Sequence, residues 1–196
     1  MRLFVTCMLV VSLFLAMGCE PPPEVNDVDI PLMGRVEEPL AVDGSIDGYP
    51  AEPVEVVGAD VHMAHDGNQL YVHMEVEGSG WLAVGFVGRG GAMDGANMVL
   101  GYMDEETPAF RDDVGRGLSH SEAGVTAVEE FFLSHEDGVV ILEFSYPLVF
   151  PDGEGYEIEE LLPGEIYTLI AALHSTSNNI DQRHSARGSI DFTVEP

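Results

Sequence analysis

The chain has 196 residues, enough for one domain with a real core, and sets 35 acidic residues against seven basic ones, all seven arginine, for a formal net charge of -28. Charge of that sign repels phosphate backbones and anionic headgroups, so nucleic acid is excluded as a partner. The two cysteines, Cys7 and Cys19, lie in or beside an apolar leader, so no disulfide framework is expected in the folded part.

Residues 1–18 have the pattern of an export signal: Arg2 as a short positive region, an apolar run from Leu3 to Met17 that is short for a membrane span, and small residues before Cys19. Leu15-Ala16-Met17-Gly18-Cys19 resembles a bacterial lipobox, in which the cysteine is acylated and becomes the new N-terminus. That resemblance implies a lipid anchor on Cys19 and residence in the bacterial cell envelope, and Glu20 after it favours the outer membrane. Residues 19–42, rich in Pro, Glu and Val and lacking a period, read as a flexible tether.

The domain is expected over 43–196. Asp43-Gly44 and Asp47-Gly48 are turn chemistry at its entrance and lack the alternating ligands of a calcium loop. Strand-like runs follow at Ala59–His65, Leu70–Val76, Trp81–Val87, Asn97–Met103, Val125–His135, Val139–Tyr146, Tyr167–His174 and Gly188–Val194. Asp66-Gly67-Asn68 and Glu136-Asp137-Gly138 are hairpin signals. Helical periodicity is nearly absent, with a turn or two expected at Tyr156–Leu162. This spacing predicts an all-β fold, an antiparallel β-sandwich, because a parallel sheet needs helical crossovers.

One stretch organises the rest. In GWLAVGFVGRGGAMDGANMVLGYM, Gly80 to Met103, two apolar strands flank a mobile-looking Gly-rich loop that carries Met93. The polar segment from His174 to Gly188 presents His184 beside Arg183 and Arg187, just before the last strand. A strand-end histidine and a loop methionine are the two donors of a Met/His haem iron site, and the two loops would clamp a flat cofactor if they met. His62, His65, His73, His120 and His135 read as structural or surface residues, since a three-residue spacing within a strand splits a pair between opposite faces. No Gly-x-Ser-x-Gly elbow is present and carboxylates are too numerous for a pairing to carry meaning, so no enzyme is assigned.

The order Trp81-Leu82-Ala83-Val84-Gly85-Phe86, Met93-Asp94-Gly95-Ala96-Asn97-Met98-Val99-Leu100-Gly101, Phe110-Arg111-Asp112 and His184-Ser185-Ala186-Arg187-Gly188-Ser189 resembles the DOMON domain family over about 43–194. The resemblance implies an immunoglobulin-like β-sandwich that binds haem b or sugars, with Met93 and His184 as the positions matching the iron ligands. Met98 and Met103 compete with Met93, and His174 with His184; Met93 is preferred because Met98 lies within a strand. Arg89, Arg111, Arg116, Arg183 and Arg187 fall in segments placed around the site, where they either pair with haem propionates, Arg89 and Arg187 being the candidates, or neutralise neighbouring Asp and Glu, while Arg35 lies in the tether. The expected function is a membrane-tethered haem b-binding module for electron transfer or redox sensing, with a redox partner protein. The alternatives are a carbohydrate-binding module with Trp81, Tyr71 or Tyr102 as stacking platforms, or an adhesion or scaffold lipoprotein.

Overall fold

The computed structural model describes residues 30–151 and 155–196. The expected export signal, Cys19 and the first part of the expected tether lie outside the described residues. Among the described residues every regular element is a strand: β1 Leu32–Arg35, β2 Val54–Val56, β3 Ala59–His65, β4 Gln69–Glu77, β5 Leu82–Gly88, β6 Asn97–Asp104, β7 Thr107–Arg116, β8 Ser119–Glu122, β9 Glu130–Glu136, β10 Val139–Pro147, β11 Ile166–Leu173 and β12 Ala186–Val194. The fold is all-β, as the strand spacing predicts.

The strands follow the order β8-β7-β6-β5-β11-β12-β1-β3-β4-β10-β9, with β2 added beside β3. Each half of this path is antiparallel. The join is not: β1 runs parallel to β12 on one side and to β3 on the other. Residues 30–42 were expected in the tether. Instead Leu32–Arg35 is a strand shared by both halves, and Met33 is fully buried. A four-residue strand between two others has too little length to show a period, but its backbone bonds both neighbours. Tyr156–Leu162 is not helical either. Phe150 donates its N–H to Glu159 O at 2.8 Å and Leu161 donates to Leu148 O at 3.0 Å, so the segment is held as an extended return.

The core lies between the halves. Leu82, Val84 and Phe86 of β5, Leu169 and Ala171 of β11 and Phe192 of β12 meet Val72 and Met74 of β4 and Leu142 and Phe144 of β10. Phe86 packs edge-on to Phe192 at 6.0 Å between ring centres. Alternation along a strand then sends Ala83, Gly85 and Val87 to the other face of β5, where they are also covered, and Ala83 and Val87 join a second apolar cluster with Trp81, Ala96, Met98 and Leu100. Burial on both faces is why Leu82–Gly88 reads as a continuous apolar run without polar alternation.

Candidate functional site

That second cluster forms the floor of a cavity of about 360 Å³ on the outer face of the β5, β6 and β11 sheet. Cross-strand register places its floor residues in rows. Ser189, Ile170, Gly85, Met98 and Asp113 run across five strands, and Arg187, Ala172, Ala83, Leu100 and Arg111 form the next row. Each row is apolar at its centre and polar at both ends. The middle is kept flat by Gly85, where an added Cβ would lie 2.7 Å from Met98 Cγ and 2.9 Å from Ile170 Cγ1. A contiguous cavity of about 520 Å³ shares the walls Trp81, Met93, Leu118, His120, His184 and Arg187.

Met93 and His184 line both cavities. They meet over the face of a sheet, where the walls come from two loops that are firmly held. In the loop between β5 and β6, Ala96 donates to Met93 O at 3.1 Å, Gly95 donates to Gly115 O at 3.0 Å, and Gly117 donates to Asp94 Oδ1 at 2.6 Å. Gly90 donates to Thr168 Oγ1 at 2.7 Å. The loop that composition marks as mobile is therefore tied to β7 and β11. A Cβ on Gly115 would lie 1.5 Å from Met93 O, so only glycine lets the loop rest on β7. The glycine that shapes the cavity floor is Gly85, in the strand rather than in the loop, because Met98 and Ile170 pack over it.

The β11–β12 loop crosses the face in the other direction. Trp81 donates to Ser177 O at 3.0 Å, His174 donates to Trp81 O at 3.0 Å, and Met103 donates to Asn178 Oδ1 at 3.1 Å. His174 itself is spent: its Nδ1 accepts from Ser177 N at 3.0 Å and Thr176 N at 3.3 Å, and it lines neither cavity. Met103 packs toward the main core, and Met98 contributes to the floor. Of the competing donors, only Met93 and His184 project from loops onto the cavity. Burial, reinforced by the neighbouring Arg187 and Arg183 charges, pushes the His184 imidazole below its ordinary pKa. It therefore stays neutral at neutral pH, the state in which imidazole donates to a metal.

The arginines divide. Arg187 lines both cavities, and Arg111 and Arg183 line the larger one together with Asp181. Arg183 and Arg187 have no carboxylate partner among the described residues. Arg89, expected at the site, lines neither cavity and pairs with Asp191 at 3.5 Å, because the turn at Gly90 and Gly91 carries it back over β12. Arg116 lines neither cavity, and Arg35 lies in β1, where its N–H donates to Glu195 Oε2. The proposed stacking platforms also fail. Trp81 is a wall, but only 3% exposed, with its indole N–H buried and unpartnered. Tyr71 is buried on the other half, bonded to Asp66. Tyr102 packs beside the second cluster outside both cavities.

Sequence reasoning missed His120. It stands in β8, directly opposite Gly115 of β7, and lines both cavities. Its Nδ1 bonds Asp113 Oδ2, and Arg111 grips the same carboxylate through Nε at 2.5 Å and Nη2 at 2.6 Å. Burial alone would raise the Asp113 pKa, but the bonds from His120 and Arg111 hold it below the ordinary carboxylate range. The signal was Arg111 and Asp113 two apart, hence on one face of a strand, with a histidine on the following hairpin arm; it required recognising β7 and β8, which are too polar to read as strands.

Comparison with known proteins follows the same lines. A sequence profile of the DOMON domain matches residues 56–172, more than half of the chain. The fold is similar to the cytochrome b domain of pyranose dehydrogenase from Coprinopsis cinerea, with a TM-score of 0.54 at 14% identity over 70% of this chain and 77% of that one. It is similar to the cytochrome domain of Myriococcum thermophilum cellobiose dehydrogenase, with a TM-score of 0.51 at 12% identity over 70% of this chain and 75% of that one. It is also similar to a family 9 carbohydrate-binding module from Caldicellulosiruptor kristjanssonii in complex with cellotriose, with a TM-score of 0.51 at 11% identity over 84% of this chain and 93% of that one. At these identities the likeness is one of fold. No curated protein sequence matches the chain. With its all-β architecture and the profile match spanning β2 to β11, the chain belongs to the DOMON domain family.

Proposed function

We propose that the protein is a haem b-binding module for electron transfer or redox sensing, with Met93 and His184 as the residues that would hold the iron. The observation that carries this is the meeting of a thioether and a neutral imidazole, from loops distant in sequence, at one apolar cavity. The residues present fit the group. The floor is flat and apolar, Gly85 lets Met98 and Ile170 close together in it, and the unpartnered guanidiniums of Arg183 and Arg187 stand at the polar rim, where they could pair with propionates. A bound haem would supply one-electron chemistry. The chain's part is to donate the Met93 sulfur and the His184 nitrogen, a pair that raises the potential relative to two imidazoles, and to exclude water with Trp81, Leu100 and Ile170.

Acylation of Cys19 would tether this module to the bacterial envelope, with the outer membrane favoured, and would bring it to a redox partner protein. The support for this placement is the leader's charge, apolar run and lipobox-like end. The purified protein, reconstituted with haem, should show a Soret band that is shifted or lost in Met93→Ala and in His184→Ala. A protein that stays colourless and takes up no haem while correctly folded would sink the proposal. Carbohydrate binding is the second reading, favoured by the unpartnered Trp81 indole N–H in the cavity wall. Calorimetry with soluble gluco-oligosaccharides tests it on the same preparation, and an absence of binding to the haem-free, folded chain counts against it.

A further inference from the structure

We infer that His120 is a second donor beside Met93, placed to hold a haem iron together with His184 when the Met93 sulfur is not engaged. The inference rests on the haem assignment above and extends it to a residue that the Met93–His184 pair does not use.

Three observations place His120 there. It is in register with Gly115, and the Cβ position of Gly115 is 3.2 Å from Met93 Cγ, so the two side chains flank one backbone position at the β7–β8 edge. His184 arrives on the β11–β12 loop, a segment separate from the β7–β8 hairpin. All three side chains line both cavities.

The chemistry of the ring is also set. A carboxylate can only accept, so the His120 Nδ1 bonded to Asp113 carries a proton, and the nitrogen through which this ring can donate to a metal is Nε2. Arg111 lies 3.5 Å from that same Nδ1, yet it can only donate, and its firm bonds go to Asp113. Asp113 is fully buried. A histidine whose second nitrogen donates to a buried carboxylate is the usual arrangement of a metal-ligating imidazole, with the tautomer fixed and the basicity of the ligating nitrogen raised. Nε2 of His120 has no hydrogen-bond partner among the described residues. The cavity can thus hold iron in two ligand sets, Met93 with His184 or His120 with His184. Passing from the first to the second breaks an iron–sulfur bond and forms an iron–nitrogen bond. The potential then falls, because imidazole in place of thioether favours the oxidised iron.

The test uses the haem-reconstituted full chain, with absorbance and electron paramagnetic resonance spectra and a redox titration. Met93→Ala should remain low-spin with two nitrogen ligands and a lowered potential, and Met93→Ala combined with His120→Asn should turn high-spin. Asparagine can still donate to Asp113 but offers no nitrogen to iron, so the double variant separates ligation from support of the fold. Asp113→Asn in the Met93→Ala background should raise the potential part of the way back, because the ring loses the carboxylate that makes its ligating nitrogen more basic; a purely structural His120 would leave the potential unmoved. A native chain that binds haem while Met93→Ala alone turns high-spin, with no further change on His120→Asn, overturns the assignment of His120 only. A native chain that takes up no haem overturns the Met93–His184 assignment and this one with it.

Discussion

The two outer faces of the sandwich are built in opposite ways. On the β5, β6 and β11 side the face is apolar, Ala83, Gly85, Met98, Leu100 and Ile170, and its loops leave a cavity above it. On the β3, β4 and β10 side the face is polar, and the chain covers it with its own segment from Asp43 to Ala51. There Gly44 N and the Tyr49 hydroxyl donate to the fully buried Glu143 carboxylate at 2.7 and 3.1 Å. His73, 1% exposed, packs edge-on to Tyr49 and His62, and His62 lies against Ala51 O. A face closed by its own chain needs polar groups to hold the cover in place. A face left for a ligand needs an apolar floor and rim groups without internal partners, which is what Arg183 and Arg187 are.

The comparison is broken most severely by filling the open face. Gly85→Val puts branched carbons where Met98, Ile170 and Asn97 O already stand within 3.1 Å of a Cβ. Crowding of that kind costs about 1–3 kcal/mol. Haem affinity should fall roughly a hundredfold or more. Absorbance titration measures the loss, and far-UV circular dichroism should show an intact all-β fold.

The converse substitution acts on stability alone. Glu143→Ala strands the Tyr49 hydroxyl and the Gly44 N–H under the Asp43–Ala51 cover. Urea denaturation should show a loss of about 2–4 kcal/mol, from two buried groups left without a partner. Haem uptake below the melting range should match the parent, because Glu143 lies on the opposite half from the cavity.

The closed face also titrates. Burial, with the nearby His62 charge as a lesser cause, pushes the His73 pKa down to about 4 from its ordinary 6.5. A depressed histidine is neutral in the folded protein while the unfolded chain binds a proton. Its contribution is therefore complete above about 6.5 and is lost as pH falls toward 4. The full loss is on the order of 3 kcal/mol. Glu143 works the other way, since burial raises its pKa and protonation is favoured in the folded state. The difference in stability between the parent and His73→Gln isolates the histidine and should shrink steadily across that pH window.

How legible each face was in the sequence follows from the same contrast. The strands that alternate or run apolar, Ala59–His65 and Leu82–Gly88 among them, were readable because burial leaves a period. Asp66-Gly67-Asn68 and Glu136-Asp137-Gly138 were readable because left-handed backbone at Gly67, Asp137 and Gly138 needs such residues. β1 and β2 were too short to show a pattern. β7 and β8 carry Arg111, Asp113 and His120 on the outer face, so polarity disguised them. Met93 and His184 could be paired through a family resemblance, whereas the link of His120 to Asp113 exists only once β7 and β8 are folded against each other. The covering role of Asp43–Ala51 was hidden for a similar reason: its Asp-Gly turns signal a loop and say nothing of the buried Glu143 that receives it.

The smallest effect separates the two arginines assigned together from sequence. Arg187 lines both cavities without a carboxylate partner, while Arg89 is committed to Asp191 on the solvent side of β12. Arg187→Gln should weaken haem binding by about tenfold, the equivalent of one charge-assisted bond of roughly 1.4 kcal/mol at a partly exposed rim. Arg89→Gln should leave affinity within error and alter stability by less than about 1 kcal/mol, as for an exposed ion pair. Raising ionic strength in the titration should erode the Arg187 effect first, because a rim charge is screened where the apolar floor is not. Equal losses from the two substitutions would mean that the rim acts through overall charge rather than through a guanidinium at one place, and the anionic end of the ligand would then have to be sought away from β12.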